Sequence, residues 1–344
     1  MVLFLLLAAF LAGLAIWSAV VAVRAARAFP PEGGFVETGA EFAPVRLHYV
    51  DRGSERPGVA PVVLIHGASG NLRDMMASLV PALERHTRVI AVDRPGHGWS
   101  TRGPHPGISD PVAQARVIRE AMRQLGVERP VVLGHSWGAA VAAAWARHYP
   151  DEISGVLLLS GALYPWPGEI AWYHRIVGTP LVGDAFLRTL TVPGGALLGP
   201  AGVKGNFHPD PAPANYAETI GLPLLFRPSH FRANSADTAG LKAHLAVQSL
   251  RYAEISVPAI VVTGNADYTV SPKIHSYAFH NTVAGSELIK LKGAGHMPHH
   301  SRREIVVDAV LRLARGEAPF DGMVTIYEDG RVERETRVSL QSAR

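Results

Sequence analysis

The pentapeptide Gly134-His135-Ser136-Trp137-Gly138 constrains the fold more than any other part of the sequence. It follows the apolar run 130–133 and precedes an alanine-rich segment, 139–148, so the pattern predicts a buried strand, a tight turn and a helix. Such a turn strains the serine backbone, and only small residues on both sides leave room for it. The sequence therefore predicts that Ser136 is a nucleophile at the carboxyl edge of a sheet.

A serine hydroxyl is a weak nucleophile unless a base and an acid activate it, and two later segments offer these groups. The apolar run 259–263 leads to Asp267, and the run 288–291 leads to His296. Each pattern predicts a strand that ends in a loop carrying the functional residue. Ser136, Asp267 and His296, in this chain order, are therefore predicted to form a catalytic triad.

Two backbone N–H groups are predicted to form an oxyanion hole. The apolar run 61–65 leads into the glycine-containing turn 66–70, which can aim the N–H of Ala68 into the site. The N–H of Trp137, directly after the serine, supplies the second donor. We expect these two groups to stabilise the negative charge that develops when the serine attacks a carbonyl.

Two histidines near this turn have structural as well as functional interpretations. His66 is the first residue of the turn 66–70, and its simpler role there is to form a hydrogen bond that stabilises the loop. His97 lies in the loop 93–100, which follows another apolar run, and it is interpreted first as scaffold. Both remain candidates for lining the substrate pocket.

Asp267 and the histidines after His296 also admit other interpretations. Asp267 could cap a helix that begins near Ser271, since Asp is favoured at that position. His299 and His300 could form a zinc site with His296, but neither cysteines nor regularly spaced carboxylates accompany them. We therefore expect no metal.

With these motifs in place, the chain resembles the α/β-hydrolase superfamily, in the branch of epoxide hydrolases, haloalkane dehalogenases, C–C bond hydrolases and small-molecule esterases. The matching segments cover about residues 35 to 315 and are 66–70, 93–100, 134–138, 264–267 and 293–296. Epoxide hydrolases and dehalogenases of this branch carry Asp at the nucleophile, where this chain has Ser136. A serine forms an acyl-enzyme with a carbonyl, so the resemblance implies acyl hydrolysis without a cofactor.

The resemblance implies an α/β-hydrolase fold with a mostly parallel eight-stranded sheet, helices on both faces and a helical cap insertion. A chain of 344 residues, 48% of them hydrophobic, can bury such a core. The aromatic-rich stretch 161–251 breaks the alternation of strands and helices, and its length predicts the cap. The predicted segments are 1–28 (membrane anchor and flank), 29–160 and 252–316 (hydrolase core), 161–251 (cap), and 317–344 (C-terminal hairpin or tail).

The N-terminal segment Met1 to Val23 contains no charged side chain and is long enough to cross a bilayer. Arg24 and Arg27 follow it, and the positive-inside rule then favours a single-pass protein with a cytoplasmic catalytic domain. A cleaved signal peptide is the alternative, because Ala26-Arg27-Ala28 has a small-x-small pattern. That alternative predicts a secreted or periplasmic enzyme.

Charge and composition narrow the functional classes further. The net charge of +4 is small, and scattered basic residues give no pattern for nucleic-acid binding. There are no cysteines and hence no disulfides. We expect a small, apolar acyl substrate: an ester, lactone or related compound. C–C hydrolysis, amide cleavage and cofactor-free perhydrolysis would use the same triad, and a catalytically silent binding protein is the alternative from another class.

Overall fold

The structure is a computed structural model that describes residues 1–38 and 44–337. Its centre is a ten-stranded sheet in the order β1-β2-β4-β3-β5-β6-β7-β8-β9-β10. Strands β3 to β9 run parallel, while β1, β2 and β10 pair antiparallel with their neighbours. The strands are β1 (Gly34–Thr38), β2 (Val45–Arg52), β3 (Val62–Ile65), β4 (Val89–Val92), β5 (Val131–His135), β6 (Gly155–Leu159), β7 (Ala259–Gly264), β8 (Glu287–Leu291), β9 (Gly322–Ile326) and β10 (Val332–Thr336).

The central strands are apolar on both faces because helices cover both sides of the sheet. Val62–Ile65 of β3 is buried throughout, and Leu64 lies between Ala91 of β4 and Leu133 of β5. Each face builds its own hydrophobic core. The covering helices are α2 (Leu72–Ser78), α3 (Val80–Leu83), α4 (Pro111–Gln124), α5 (Trp137–His148), α11 (Ser276–Thr282), α12 (Pro298–Ser301) and α13 (Arg303–Ala314).

Helices fill the connection between β6 and β7. They are α6 (Trp172–Val177), α7 (Val182–Thr189), α8 (Thr191–Phe207), α9 (Tyr216–Thr219) and α10 (Pro228–Gln248), with 3₁₀ helices at Leu222–Phe226 and Ser249–Glu254. Some of their apolar side chains form a small core of their own around Val177, Leu187 and Phe231. Others pack on the loop after β8, where Phe207 and Tyr216 join a cluster with Met297.

The C-terminal hairpin joins the edge of the sheet, which therefore holds two strands more than the eight predicted. β9 pairs parallel with β8, and β10 turns back antiparallel on β9. Glu287 of β8 helps to hold this edge by accepting hydrogen bonds from Arg312 and from the N–H of Phe320. Of the segment 317–344, predicted as a C-terminal hairpin or tail, residues 338–344 lie outside the described part of the chain.

The N-terminal residues Val2–Ala28 form one helix, α1. Within residues 1–38 and 44–337 it is the one helix long and apolar enough to cross a membrane; length and composition alone do not separate an anchor from a signal sequence. The segment after α1 is tied to the core. The Trp99 indole N–H donates to the carbonyl of Phe29 at 3.0 Å, and Arg73 donates to the carbonyl of Pro30 at 2.7 Å.

Candidate active site

Ser136 occupies the sharp turn between β5 and α5. Its φ of 53° and ψ of −117° are unusual for a residue with a side chain. The turn is fixed from two sides, because the Ser136 N–H donates to Leu159 and its carbonyl accepts from Ala139 and Ala162. The side chain therefore lies at the amino end of α5, where helical N–H groups favour negative charge.

Two glycines make this turn sterically feasible. A Cβ on Gly134 would lie 2.2 Å from the carbonyl oxygen of Gly138, and one on Gly138 would lie 2.5 Å from the carbonyl oxygen of Ile65. Gly67 of the neighbouring turn is close as well, since a Cβ there would lie 3.0 Å from the Cβ of Ser136. The serine and the turn 66–70 are thus in direct contact.

Asp267 and His296 form a buried hydrogen-bonded pair. Nδ1 of His296 lies 2.7 Å from Oδ2 of Asp267. The other carboxylate oxygen accepts the N–H groups of Thr269 and Val270 at 2.9 and 2.8 Å, which fixes its orientation. Asp267 does not cap α11, whose N-cap residue is His275. Its carboxylate instead orients the imidazole.

The loops that carry Asp267 and His296 contact each other and the turn at Ser136. A Cβ on Gly264 would lie 2.2 Å from the carbonyl oxygen of Ala294, so the two loops approach as closely as backbones allow. His135, the residue before Ser136, lies with its Nε2 3.0 Å from the carbonyl oxygen of His296. The histidine loop is therefore attached directly to the serine turn.

Ala68 and Trp137 lie on the two backbone segments that meet at Ser136. Within the described part of the chain, neither N–H donates to a backbone or side-chain acceptor. Two such donors beside a nucleophile can bind the oxygen of a tetrahedral intermediate. Their position is consistent with the predicted oxyanion hole, which stays a prediction.

The buried side chain of Arg94 hydrogen-bonds the turn 66–70, which carries the predicted oxyanion donor Ala68. Arg94 donates to the carbonyl oxygens of His66 at 3.1 Å and Gly67 at 3.2 Å, and its guanidinium stacks 4.1 Å from the ring centroid of Trp137. It also binds the carboxylate of Asp237 on α10 at 2.6 Å. Arg94 therefore links both predicted oxyanion donors to the helices between β6 and β7.

His66 and His97 are fully buried in the scaffold around Arg94. His66 donates from Nδ1 to the carbonyl of Gly67 and accepts the N–H of Arg94 at Nε2. Burial and the charge of Arg94 lower the pKa of His66 to about 4, so the ring is neutral at pH 7. The same causes hold the pKa of His97 well below its usual value. That either ring lines the pocket stays a prediction.

The histidines after His296 form a second polar cluster. Nε2 of His299 and Nε2 of His300 each lie 2.9 Å from the carboxylate of Asp74, which also accepts the Tyr216 hydroxyl. Ligand-type atoms of Asp74, His135 and His299 lie within 4.8 Å of one another, so these residues could hold a metal ion. His299, His300 and Tyr216 hydrogen-bond the carboxylate, whereas the buried Nδ1 atoms of His135 and His299 have no hydrogen-bond partner in the described part of the chain.

A cavity of about 230 Å³ opens beside this cluster. Its lining includes Ser78, Tyr216, His299, His300 and Arg303, but none of the three predicted triad residues. Ser136 itself is only 9% exposed. α10 contacts the residues around it: the Ser69 N–H donates to the Asn234 side chain, and the Trp137 indole donates to the carbonyl of Asp237.

The structure places Ser136, Asp267 and His296 in the loops after β5, β7 and β8, at one edge of the sheet, and brings Asp267 and His296 into hydrogen-bond contact; a bond between Ser136 and His296 stays a prediction. Sequence reasoning missed Arg94 and Asp237, which are 143 positions apart and meet only in the folded chain. The one available signal was Arg94 two residues after the fully apolar strand β4, where a charged side chain needs a buried partner.

Comparisons with known proteins agree with this architecture. A family model described as alpha/beta hydrolase fold matches residues 60–302. An uncharacterized protein of Mycobacterium tuberculosis is 26% identical over 285 residues, which are 80% of this chain and 81% of that protein. Haloalkane dehalogenase 2 of the same organism is 32% identical over 146 residues, 42% of this chain and 48% of the relative.

A solved structure has the same fold as most of the chain. A thermophilic esterase from Thermogutta terrifontis superposes with a TM-score of 0.63 at 22% identity, covering 83% of this chain and all of the esterase. At this level of identity the likeness is one of fold.

Proposed function

The chain belongs to the alpha/beta hydrolase fold family, and from this premise we propose that it is a serine hydrolase of carboxylic esters, lactones or related acyl compounds. The observation that carries the proposal is the 2.7 Å contact between Asp267 and His296, in a loop attached to the Ser136 turn. The resemblance of this chain to dehalogenases does not extend to their nucleophile. Ser136 stands where the resemblance implies their Asp, and it favours acyl over alkyl transfer.

In the proposed reaction His296 acts as the general base. Its Nδ1–H donates to Asp267, which leaves the lone pair on Nε2 free to accept the hydroxyl proton of Ser136. The serine oxygen attacks the carbonyl carbon of the substrate, and Asp267 stabilises the imidazolium that forms. His296 then returns the proton to the leaving group, and the acyl group stays on Ser136.

The N–H groups of Ala68 and Trp137 are proposed to stabilise the oxyanion of each tetrahedral intermediate. Water, deprotonated by His296, attacks the acyl-enzyme in the second half of the reaction, and the acid is released from Ser136. Every proton in this cycle moves between Ser136, His296, substrate and water, so the proposal needs no cofactor.

The proposed substrate is small and apolar, and residues 161–251 are proposed to act as the cap that closes over it. Two features support this: the cap segment contacts the oxyanion turn through Asn234, and Ser136 is almost inaccessible beneath it. Apolar substrates suit an enclosed site because the burial of their apolar surface favours binding.

Hydrolysis of p-nitrophenyl esters tests the proposal. We expect the full chain to hydrolyse a series of acyl chain lengths and Ser136→Ala to abolish turnover. Ser154→Ala is the matched control, because its hydroxyl binds the carbonyl of Arg129 at an exposed position. No hydrolysis of any ester by the folded chain, or activity retained by Ser136→Ala, would contradict the proposal.

We further propose that residues 1–23 anchor the enzyme in a membrane with the catalytic domain in the cytoplasm. The apolar length of α1 and the arginines Arg24 and Arg27 support this orientation. Fractionation and protease accessibility of intact cells test it. A soluble protein that begins at Phe29 would indicate a cleaved signal, and digestion of the catalytic domain from outside would reverse the orientation.

A further inference from the structure

The outer surface of α7 and α8 carries large apolar side chains in contact with solvent. Leu197 is 78% exposed and Leu198 is 63% exposed. With three exposed residues on α7 or at its ends they form what we call the leucine face: Leu181, Val182, Leu190, Leu197 and Leu198. An exposed apolar patch of this kind indicates a surface that binds a partner or a membrane.

Leu190, Leu197 and Leu198 of the leucine face belong to a stretch without charge, whereas α7 also exposes Asp184 and Arg188. No Asp, Glu, Lys or Arg occurs from residue 189 to residue 203. The outward positions of α8 around the two leucines are also nonpolar, at Ala196, Pro200 and Ala201. A surface helix in water presents polar side chains to the solvent. The surface of α8 is suited to hydrocarbon instead.

The leucine face lies next to the proposed anchor. α1 contacts α7, α8 and the 3₁₀ helix Leu222–Phe226. Its partly or fully covered residues recur at helical spacing and mark one face: Leu14, Ala15, Ser18, Val21, Ala22, Ala25 and Ala26. The C-terminal half of α1 is therefore packed against the same helices that carry the exposed leucines.

The length of α1 then determines how deeply α7 and α8 lie in the membrane. Only residues 1–13 precede the packed half, and they rise by about 20 Å, whereas the hydrocarbon core is about 30 Å thick. If α7 and α8 stayed in water, they would hold residues 14–23 in water with them, and the remainder of α1 would be too short to span. A spanning α1 brings α7 and α8 into the membrane.

We propose that the leucine face inserts into one leaflet of the bilayer beside α1, so that the enzyme has a second membrane contact besides its anchor. This inference rests on the anchor of the proposed function. We assign lipid as the occupant of the surface, because α7 and α8 contact α1 and the stretch 189–203 carries no charge. A second protein or a second copy of the chain on this face is the alternative that the test excludes.

Depth-dependent quenching on the full-length chain tests the inference, because the sequence has no cysteine and accepts a single probe site. Leu197→Cys carries an NBD fluorophore, and the protein is reconstituted into phosphatidylcholine vesicles with or without doxyl-labelled lipid. Leu250→Cys is the matched control: this leucine is 81% exposed on the 3₁₀ helix Ser249–Glu254, which packs on α5 and α11. Leu7→Cys reports the anchor.

We expect strong quenching at Leu197 and Leu7 and little at Leu250. An unquenched probe at Leu197 overturns the inference, as does a probe there that is shielded only when a second copy or protein is added. Quenching at Leu7 without quenching at Leu197 would support the anchor and contradict the second membrane contact. An unquenched Leu7 refutes the anchor itself, and ester hydrolysis by each labelled variant reports separately on the proposed enzyme.

Discussion

Arg94 and Asp237 form an ion pair of 2.6 Å in which neither side chain is exposed. The pair joins the loop after β4 to α10, and Gln114 and Arg102 contribute further contacts to the same carboxylate. Arg94 also donates to the carbonyl oxygens of His66 and Gly67. The ion pair therefore connects α10 to the turn 66–70, which carries one of the predicted oxyanion donors.

Removing the charge of Asp237 should destabilise the protein. Asp237→Asn leaves Arg94 buried without a full counter-charge, and breaking a buried pair costs about 3–5 kcal/mol. We expect a clearly lower thermal midpoint and a lower kcat, measured on the full chain in detergent. In the control Asp184→Asn, the partner is Arg232 and both side chains are about half exposed, so the cost should stay under about 1 kcal/mol. Equal effects of the two changes would contradict this role.

The acid of the triad is predicted to be Asp267. Asp267→Asn should keep the fold but lower kcat by roughly 10²- to 10⁴-fold, because the amide favours the wrong imidazole tautomer. Glu169→Gln is the control, since Glu169 is an exposed partner of Arg175 on the surface. If Glu169→Gln proves more damaging to ester hydrolysis than Asp267→Asn, the acid has been misassigned.

The serine turn should not tolerate a methyl group on Gly134. The added Cβ would lie 2.2 Å from a backbone oxygen that cannot move without opening the turn, so Gly134→Ala should lose activity and much of its stability. Gly205→Ala in α8 is the matched control, because nothing lies within 4 Å of its Cβ and alanine favours a helix by about 1 kcal/mol over glycine. Wild-type ester hydrolysis by Gly134→Ala would disprove the steric argument.

Acid should destabilise the fold through its buried histidines. Burial, with the charges of neighbouring arginines, lowers the pKa of His66 to about 4 and that of His230 to about 3, from a usual 6.5. Below pH 6.5 the unfolded chain binds protons that the folded chain does not, so stability is complete above that pH and falls as the pH drops toward 4. The thermal midpoint should decrease over this window.

The variant His230→Asn tests how much His230 alone contributes to this acid destabilisation. Nδ1 of His230 accepts the N–H of Gly98, and the Asn side-chain oxygen can take over that role without titrating. The variant should show a shallower loss of thermal midpoint between pH 6.5 and 4 than the wild type. An unchanged slope would mean that His230 does not contribute to the acid sensitivity.

The position of Ser136, Asp267 and His296 at one edge of the sheet could be predicted because each follows a short apolar strand, and parallel strands end at the same edge. The fold followed from the same alternation of strands and helices. The ion pair of Arg94 and Asp237 could not be predicted, because the aspartate lies on a long helix whose sequence gives no sign that this position is buried. The leucine face was not predicted either, because the sequence of 161–251 does not separate buried apolar side chains from exposed ones such as Leu197.

Peptide mapping by mass spectrometry after reaction with a fluorophosphonate tests the central claim most directly, because only an activated serine forms this adduct. We predict one phosphonylated residue, Ser136, and no adduct in His296→Ala, in which the base is missing. An adduct on another serine, or an unmodified folded chain, would contradict the assignment of Ser136 as the nucleophile.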